Sequence, residues 1–115
     1  MNQKLFIGMP VYNGERFIRM ALDALLSQSY TDWKLLIADD NSTDATGMIS
    51  KEYAARDPRI TYIKNKENKG LFDNFKFTLE SVSNQEYFMW AAQDDLWEKD
   101  FIKTCLLNLE SDEKI

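Results

Sequence analysis

Two pairs of adjacent carboxylates stand where apolar runs end: Asp39-Asp40 after Trp33–Ala38, and Asp94-Asp95 closing the run that opens at Tyr87. In α/β sheets, ligands bind in the crevice at the carboxyl ends of the strands, which is where both pairs would fall. Adjacent carboxylates repel one another. A hard divalent cation relieves that repulsion and can then hold a diphosphate. Asp40 is placed to accept a hydrogen bond from a base N–H or a ribose hydroxyl. Each pair has a plainer reading. Aspartate suits a helix N-terminus, so Asp94 or Asp95 could simply start the helix that follows. Asp39 to Ser42 could likewise cap a helix and form Asx-turns. At the second strand end the two readings are compatible, with Ser42 capping and Asp40 facing a ligand. Asp44 suits a structural role in the first helical turn. Asn13 either binds a ligand or makes its turn, and Tyr12 either stacks on a base or packs in the core. Lys64, Lys66 and Lys69 could meet phosphate but fit a solvated loop, and Trp90 and Trp97 fit core or site wall.

Composition removes several chemistries. The chain of 115 residues suffices for one small domain with one core. It contains no histidine, which excludes His-based catalysis and His-ligated zinc, and its single cysteine, Cys105, excludes a disulfide within the chain. Cys105 is expected on an apolar, core-facing helix surface. A net charge of −5 argues against a general nucleic-acid binder. There is neither a G-x-G-x-x-G fingerprint nor a phosphate-binding P-loop, so a nucleotide must be held by other means. No signal peptide is recognisable and no apolar run approaches transmembrane length, which suggests the cytoplasm.

The elements that must position these acids alternate strictly. Leu5 to Met9 reads as a first strand, Pro10 to Gly14 as a turn, and Glu15 opens a helix with Phe17, Ile18, Ala21, Leu22, Leu25 and Leu26 on one face. Trp33 to Ala38 is a second strand, followed by a helix with Met48, Ile49 and Tyr53 inward that stops before Asp57-Pro58. Ile60 to Ile63 is a third strand, and Lys64 to Gly70 an exposed, mobile loop. Leu71, Phe72, Phe75, Leu79 and Val82 mark a third helix. The fourth strand begins at Tyr87, and the last helix carries Phe101, Ile102, Cys105, Leu106 and Leu109. Strand–helix alternation with short loops predicts a Rossmann-like three-layer α/β/α fold, with a mainly parallel sheet in the order 3-2-1-4. The loops after strands one, two and four then converge at the switch point.

The joint pattern resembles the amino-terminal half of a family 2 glycosyltransferase with the GT-A fold. Met9-Pro10-Val11-Tyr12-Asn13 is similar to the family's first-strand motif, and Leu26-Ser27-Gln28-Ser29-Tyr30 to its S-x-x-x-Q-[ST]-[YF] helix end. Asp39-Asp40-Asn41-Ser42-Thr43-Asp44-Ala45-Thr46 resembles the D-D-x-S-x-D-x-T block. Asn68-Lys69-Gly70 with Asn74-Phe75 resembles a later N-x-G segment. Gln93-Asp94-Asp95-Leu96-Trp97 resembles the D-x-D region in its rhamnosyltransferase-like form, with Ala92 replacing that form's first acid.

The resemblance implies inverting transfer of a sugar from a nucleoside diphosphate sugar, UDP- or dTDP-linked, to a glycan or lipid-linked acceptor in cell-surface glycan synthesis. Pro10, Tyr12, Asn13, Asp40 and Asp94 would bind donor, and Asp95 with Asp94 would hold Mn²⁺ or Mg²⁺. No convincing catalytic base is recognisable: the later acids fall on or just after the last helix. Residues 1–115 are therefore expected to be the donor-binding part of a longer domain, cytoplasmic or peripheral at the inner face of the membrane. A non-catalytic module that binds sugar nucleotide is the alternative. A phosphorelay receiver fits poorly, because its acidic pair would follow strand one, where Met9-Pro10 stands.

Overall fold

The structure, a computed structural model, describes residues 4–82, 87–92 and 97–111. Its elements are β1 (Leu5–Val11), α1 (Ile18–Leu26), β2 (Trp33–Asp39), α2 (Thr46–Arg56), β3 (Ile60–Lys64), α3 (Leu71–Glu80), β4 (Tyr87–Trp90) and α4 (Phe101–Ser111). The four strands lie in the order β3-β2-β1-β4, every pair parallel, as the alternation predicts.

Successive strand residues face opposite sides of the sheet, and here both sides are covered. Leu5, Ile7, Met9 and Val11 of β1, with Trp33, Leu35 and Ile37 of β2, join the main core. That core takes Ile18, Ala21, Leu22 and Leu25 from α1, Ile49 and Tyr53 from α2, and Ile102 and Leu106 from α4. The intervening residues face α3. A Cβ built on Gly8 would lie 2.7 Å from Thr78 Cγ2 and 3.1 Å from the Phe88 ring. Two covered faces explain why the strands read as continuous apolar runs rather than alternating ones.

β1 runs through Pro10 to Val11, further than the expected end at Met9. The Gly8 carbonyl accepts from Ala91, so even-numbered residues of β1 direct their backbone groups toward β4. β4 stops at Trp90, opposite Gly8. Pro10 therefore has no β4 partner to deprive of a donor, and a proline is tolerated there in a central strand.

The helix phases differ from the expected ones in four places. Phe17, expected on the inner face of the first helix, stands just before α1 and is 43% exposed. In α2 the buried residues are Thr46, Ile49, Ser50 and Tyr53, while Met48 is 70% exposed. In α4, Cys105 is exposed rather than in the core, and Phe101 and Leu109 are partly exposed beside buried Ile102 and Leu106. The largest difference is α3, whose buried residues are Asn74 and Thr78, leaving Leu71, Phe72 and Leu79 exposed. The cause is a polar anchor. Asn74 Nδ2 donates to the Ala38 carbonyl at 2.9 Å, and Asn74 Oδ1 accepts from Asn65 at 3.1 Å. Once an amide is buried, leaving it unpaired costs about 1–3 kcal/mol. The anchored face is thus fixed, and the apolar stripe turns aside.

The close approach of α3 at Gly8 is testable. Gly8→Ala forces Thr78 and Phe88 to move, an overpacking cost of about 1–3 kcal/mol. Urea unfolding followed by circular dichroism should give a lowered midpoint with an unchanged slope. An unchanged midpoint would mean that α3 does not lie so close to β1.

Candidate functional site

Strand alternation sends the two acids at the end of β2 to opposite sides of the sheet. Asp39 is fully buried and Asp40 is 3% exposed. On the α2 side, Asp39 Oδ1 accepts from the Ser42 amide at 2.9 Å and hydroxyl at 2.5 Å, and Oδ2 accepts from the Tyr62 hydroxyl at 2.6 Å. Burial and the Asp39 carboxylate both push the Tyr62 phenol well above its ordinary pKa, so it stays a donor. Gly47 permits the arrangement, since a Cβ there would stand 2.8 Å from the Tyr62 hydroxyl.

On the α3 side, Asp40 Oδ1 accepts from the Lys69 amide at 2.7 Å and Asn65 Nδ2 at 3.0 Å, and Oδ2 accepts from the Gly70 amide at 2.9 Å. Asn68 Nδ2 donates to the Asp40 carbonyl at 3.2 Å. Residues 65–70 are thus drawn onto the end of β2. The segment is exposed over most of its length, as expected, but it is fastened rather than loose: Asn65 is buried, and the Lys69 and Gly70 amides are held by Asp40.

The loop after β1 is locked to the loop after β2. Asn13, at φ 48°, donates its amide to Ser42 Oγ at 2.9 Å and accepts from the Thr43 amide through Oδ1 at 2.8 Å. The Gly14 amide donates to Thr46 Oγ1 at 2.8 Å, and Glu15 Oε2 accepts from the Ala45 amide at 2.9 Å. Asp44 Oδ1 accepts from the Thr46 amide at 2.9 Å, the structural role expected of it. Burial alone would raise the Asp44 carboxyl. The bonds from Thr46 and from the Glu15 amide outweigh it and hold the pKa below the usual carboxylate range. Ser42 does not cap α2, which has no side-chain cap; its hydroxyl bridges Asp39 and Asn13 instead.

Where these loops meet, the described residues enclose a cavity of about 520 Å³ lined by Pro10, Tyr12, Asp40, Asn68, Phe75 and Trp90, among others. Leu71 and Ala92 also line it, so the stripe that α3 turns away from the sheet forms part of the wall. Trp90 is braced by Phe75 at 4.7 Å and by Phe88, edge-on, at 4.8 Å between ring centroids. The size, the aromatic and aliphatic walls and the few polar groups are those of a small-molecule site. A carboxylate has about four acceptor positions. Protein groups occupy three on Asp40, which leaves one on Oδ2 for a ligand N–H or O–H.

Of the residues predicted from sequence, Pro10, Tyr12 and Asp40 meet at this cavity. Asn13 stands at the loop lock, with Oδ1 taken by Thr43. Trp90 is a site wall and Trp97 packs against the core, matching the reading of both. Asp94 and Asp95 lie outside the described residues. Among the described residues, no three Asp, Glu or Cys side chains come together as a metal group. Sequence reasoning missed Asn65 and Tyr62 and gave Asn74 no role. The available signals were a lone asparagine just past β3 and a polar residue interrupting an apolar helix stripe.

Comparison with known proteins gives the same fold. Residues 6–115 match the family described as glycosyl transferase family 2. The chain is 36% identical over 104 residues to glycosyltransferase GlyA of Streptococcus pneumoniae, covering 90% of this chain and 15% of that protein. It is 39% identical over 94 residues to a putative glycosyltransferase, EpsE, of Bacillus subtilis, covering 81% of this chain and 34% of that protein. It is 36% identical over 102 residues to the dTDP-rhamnosyl transferase RfbG of Shigella flexneri, covering 85% of this chain and 35% of that protein. The chain thus spans roughly a seventh to a third of these relatives' lengths. Among solved structures, TarS of S. aureus in complex with UDP-GlcNAc superposes with a TM-score of 0.84 at 22% identity, covering 94% of this chain and 31% of that one. The mannosyltransferase PcManGT of Pyrobaculum calidifontis, in complex with GDP-Man and Mn²⁺, gives 0.83 at 20% identity, covering 100% of this chain and 34% of that one. At these identities the structural likeness is one of fold, and that fold is GT-A.

The Asp39 side of the strand end yields a prediction. Tyr62→Phe removes the donor to a fully buried carboxylate oxygen and should cost about 1–3 kcal/mol in chemical unfolding. Full stability in this variant would mean that Asp39 does not depend on Tyr62.

Proposed function

The chain belongs to glycosyl transferase family 2, and from that premise we propose that it is the donor-binding part of an inverting enzyme. The enzyme transfers a sugar from a nucleoside diphosphate sugar to a hydroxyl of a glycan or lipid-linked acceptor in cell-surface glycan synthesis. The observation that carries the reading is the cavity at the strand ends, with aromatic walls and one buried carboxylate that keeps a single acceptor position. Uracil, thymine and guanine each carry a ring N–H that such a position accepts; cytosine and adenine rings do not. The bound UDP-GlcNAc of the TarS structure, the GDP-Man of the mannosyltransferase and the dTDP named for RfbG all carry bases of the first kind. We take UDP- or dTDP-sugar as the donor. Tyr12 and Trp90 supply flat apolar surfaces for the base, and Pro10 shapes the floor where β4 ends. Asn13 fixes the loop that carries Tyr12, and its Nδ2 group remains a candidate donor to the ligand.

Ala92 lines the cavity, and Asp94 and Asp95 follow it in sequence after Gln93. We assign Asp94 to the nucleotide's ribose and Asp95, with Asp94, to a divalent cation, Mn²⁺ or Mg²⁺. The fit is one of donor chemistry, since carboxylate oxygens suit both ions. When bound, the cation would offset the diphosphate's charge and act as a Lewis acid for the leaving group. In a chain of net charge −5, a diphosphate approaching two carboxylates without a cation is opposed. No helix among the described residues is long and apolar enough to cross a membrane. We place the reaction in the cytoplasm, at the inner face of the membrane where a lipid-linked acceptor would be met.

Calorimetric titration of UDP and dTDP, with Mn²⁺ and with EDTA, tests both assignments. The unaltered chain should bind more tightly with metal, and Asp95→Ala should bind equally with and without it. Equal affinity of the unaltered chain in both conditions would leave Asp94 and Asp95 as a helix start. Asp40→Asn should lower affinity about tenfold or more, the loss of a hydrogen bond to a charged group. Its new amide group would also confront the Lys69 and Gly70 donors, so this variant should also melt earlier. Normal nucleotide binding by Asp40→Asn would reduce Asp40 to a residue that only fastens the loop.

A further inference from the structure

The Asp40 carboxylate is held from behind by two side chains that the proposed function leaves without a role. Asn65 is 5% exposed and Asn74 is 2% exposed. Their amides form a chain of bonds that runs from the sheet to the carboxylate. Asn74 Nδ2 donates to the Ala38 carbonyl of β2 at 2.9 Å, and Asn74 Oδ1 accepts from Asn65 Nδ2 at 3.1 Å. The same Asn65 nitrogen donates its other hydrogen to Asp40 Oδ1 at 3.0 Å. The Asn65 backbone is pinned as well, its amide donating to the Asp39 carbonyl at 2.8 Å.

We infer that Asn65 and Asn74 are positioning residues that turn the Asp40 carboxylate so that Oδ2 keeps one acceptor position for a nucleobase ring N–H. The inference rests on the nucleoside reading given above. With the Lys69 amide and Asn65 both on Oδ1, that oxygen is filled, while Oδ2 takes only the Gly70 amide. A carboxylate rotates readily about its terminal bond, a broad and roughly two-fold torsion. The Lys69 and Gly70 amides belong to a loop, whereas the Asn65–Asn74 chain ties Oδ1 to the backbone of a central strand. That tie makes the acceptor direction a property of the sheet. Pre-organisation of this kind favours a ligand able to use the acceptor and does nothing for one that cannot. Asn74 has a second consequence. Anchoring α3 by this amide turns Leu71 and Phe75 to the cavity wall, so one network sets both the polar floor and the apolar side of the site.

The test separates positioning from mere support of the fold. A structural defect weakens every nucleotide alike. A positioning defect removes only the preference for bases with a ring N–H. Affinities of the 115-residue chain with Mn²⁺ present are measured for UDP, dTDP and GDP against CDP and ADP. The unaltered chain should bind the tightest of the first three about tenfold or more better than the last two, the worth of one charge-assisted hydrogen bond. Asn65→Ala should bring that ratio to within about threefold while CDP affinity stays nearly constant. Asn65→Leu, which removes the donor without adding a charge and fills the space, should do the same and serves if the alanine variant does not fold. A ratio unchanged in the folded variant overturns the positioning role and leaves base reading by Asp40 intact. A ratio near one in the unaltered chain overturns base reading itself.

Discussion

A carboxylate taken out of water must be paired, and the end of β2 buries two of them side by side. The cost of leaving either unpaired would be several kcal/mol, a large part of the stability of a domain this size. Because strand residues alternate, the two acids cannot share partners. Asp39 draws Ser42, Tyr62 and α2 to one side of the sheet, and Asp40 draws Asn65, Asn68, Lys69 and Gly70 to the other. One dipeptide therefore fastens loops in both outer layers. The loop after β1 joins the same system through Asn13 and Ser42. The cavity lies where these fastened loops meet, so its shape follows from the satisfaction of two buried charges.

The structure gives Asp40 a role that the sequence reading did not offer, beside the ligand role proposed for it. It is a loop fastener, with three protein donors, and among the described residues it is also the one carboxylate lining the cavity. The two roles support each other, since each donor from the protein narrows the directions in which the remaining acceptor position can point. The same economy applies to α3, whose polar residues hold the sheet and whose displaced apolar stripe walls the cavity. In the proposed function the protein contributes orientation and an apolar surround, and the cation assigned to Asp94 and Asp95 contributes charge.

The fold was legible because its signal is long-range and redundant. Four strand–helix units with short loops leave few topologies, and the order β3-β2-β1-β4 is the one expected from that alternation, with the switch point following from it. Pro10, Tyr12 and Asp40 could be placed because they sit at strand ends, where that topology brings loops together. What could not be read was phase and partnership. Apolar residues at helical spacing locate a stripe on α3 but not what it faces. The direction was decided by Asn74, whose partner Ala38 is distant in sequence. Polar composition marks residues 64–70 as exposed, which most of them are, but it does not show that Asn65 is buried or that donors from this segment meet a buried carboxylate. Met48 and Cys105 misled for a related reason: each lies beside a buried residue on its helix and was assigned to the wrong side of it. Asp94 and Asp95 rest on motif and position alone.

The most direct measurement follows the backbone amides of Lys69 and Gly70 by ¹⁵N–¹H NMR while UDP or dTDP is added with Mg²⁺. The account makes one carboxylate bind both the loop and the nucleoside. It therefore predicts that these two amide signals shift together with the Trp90 indole, saturate at the same nucleotide concentration, and hardly respond to cytidine diphosphate. Nucleotide binding that leaves Lys69 and Gly70 unmoved would place the nucleoside elsewhere and contradict the account.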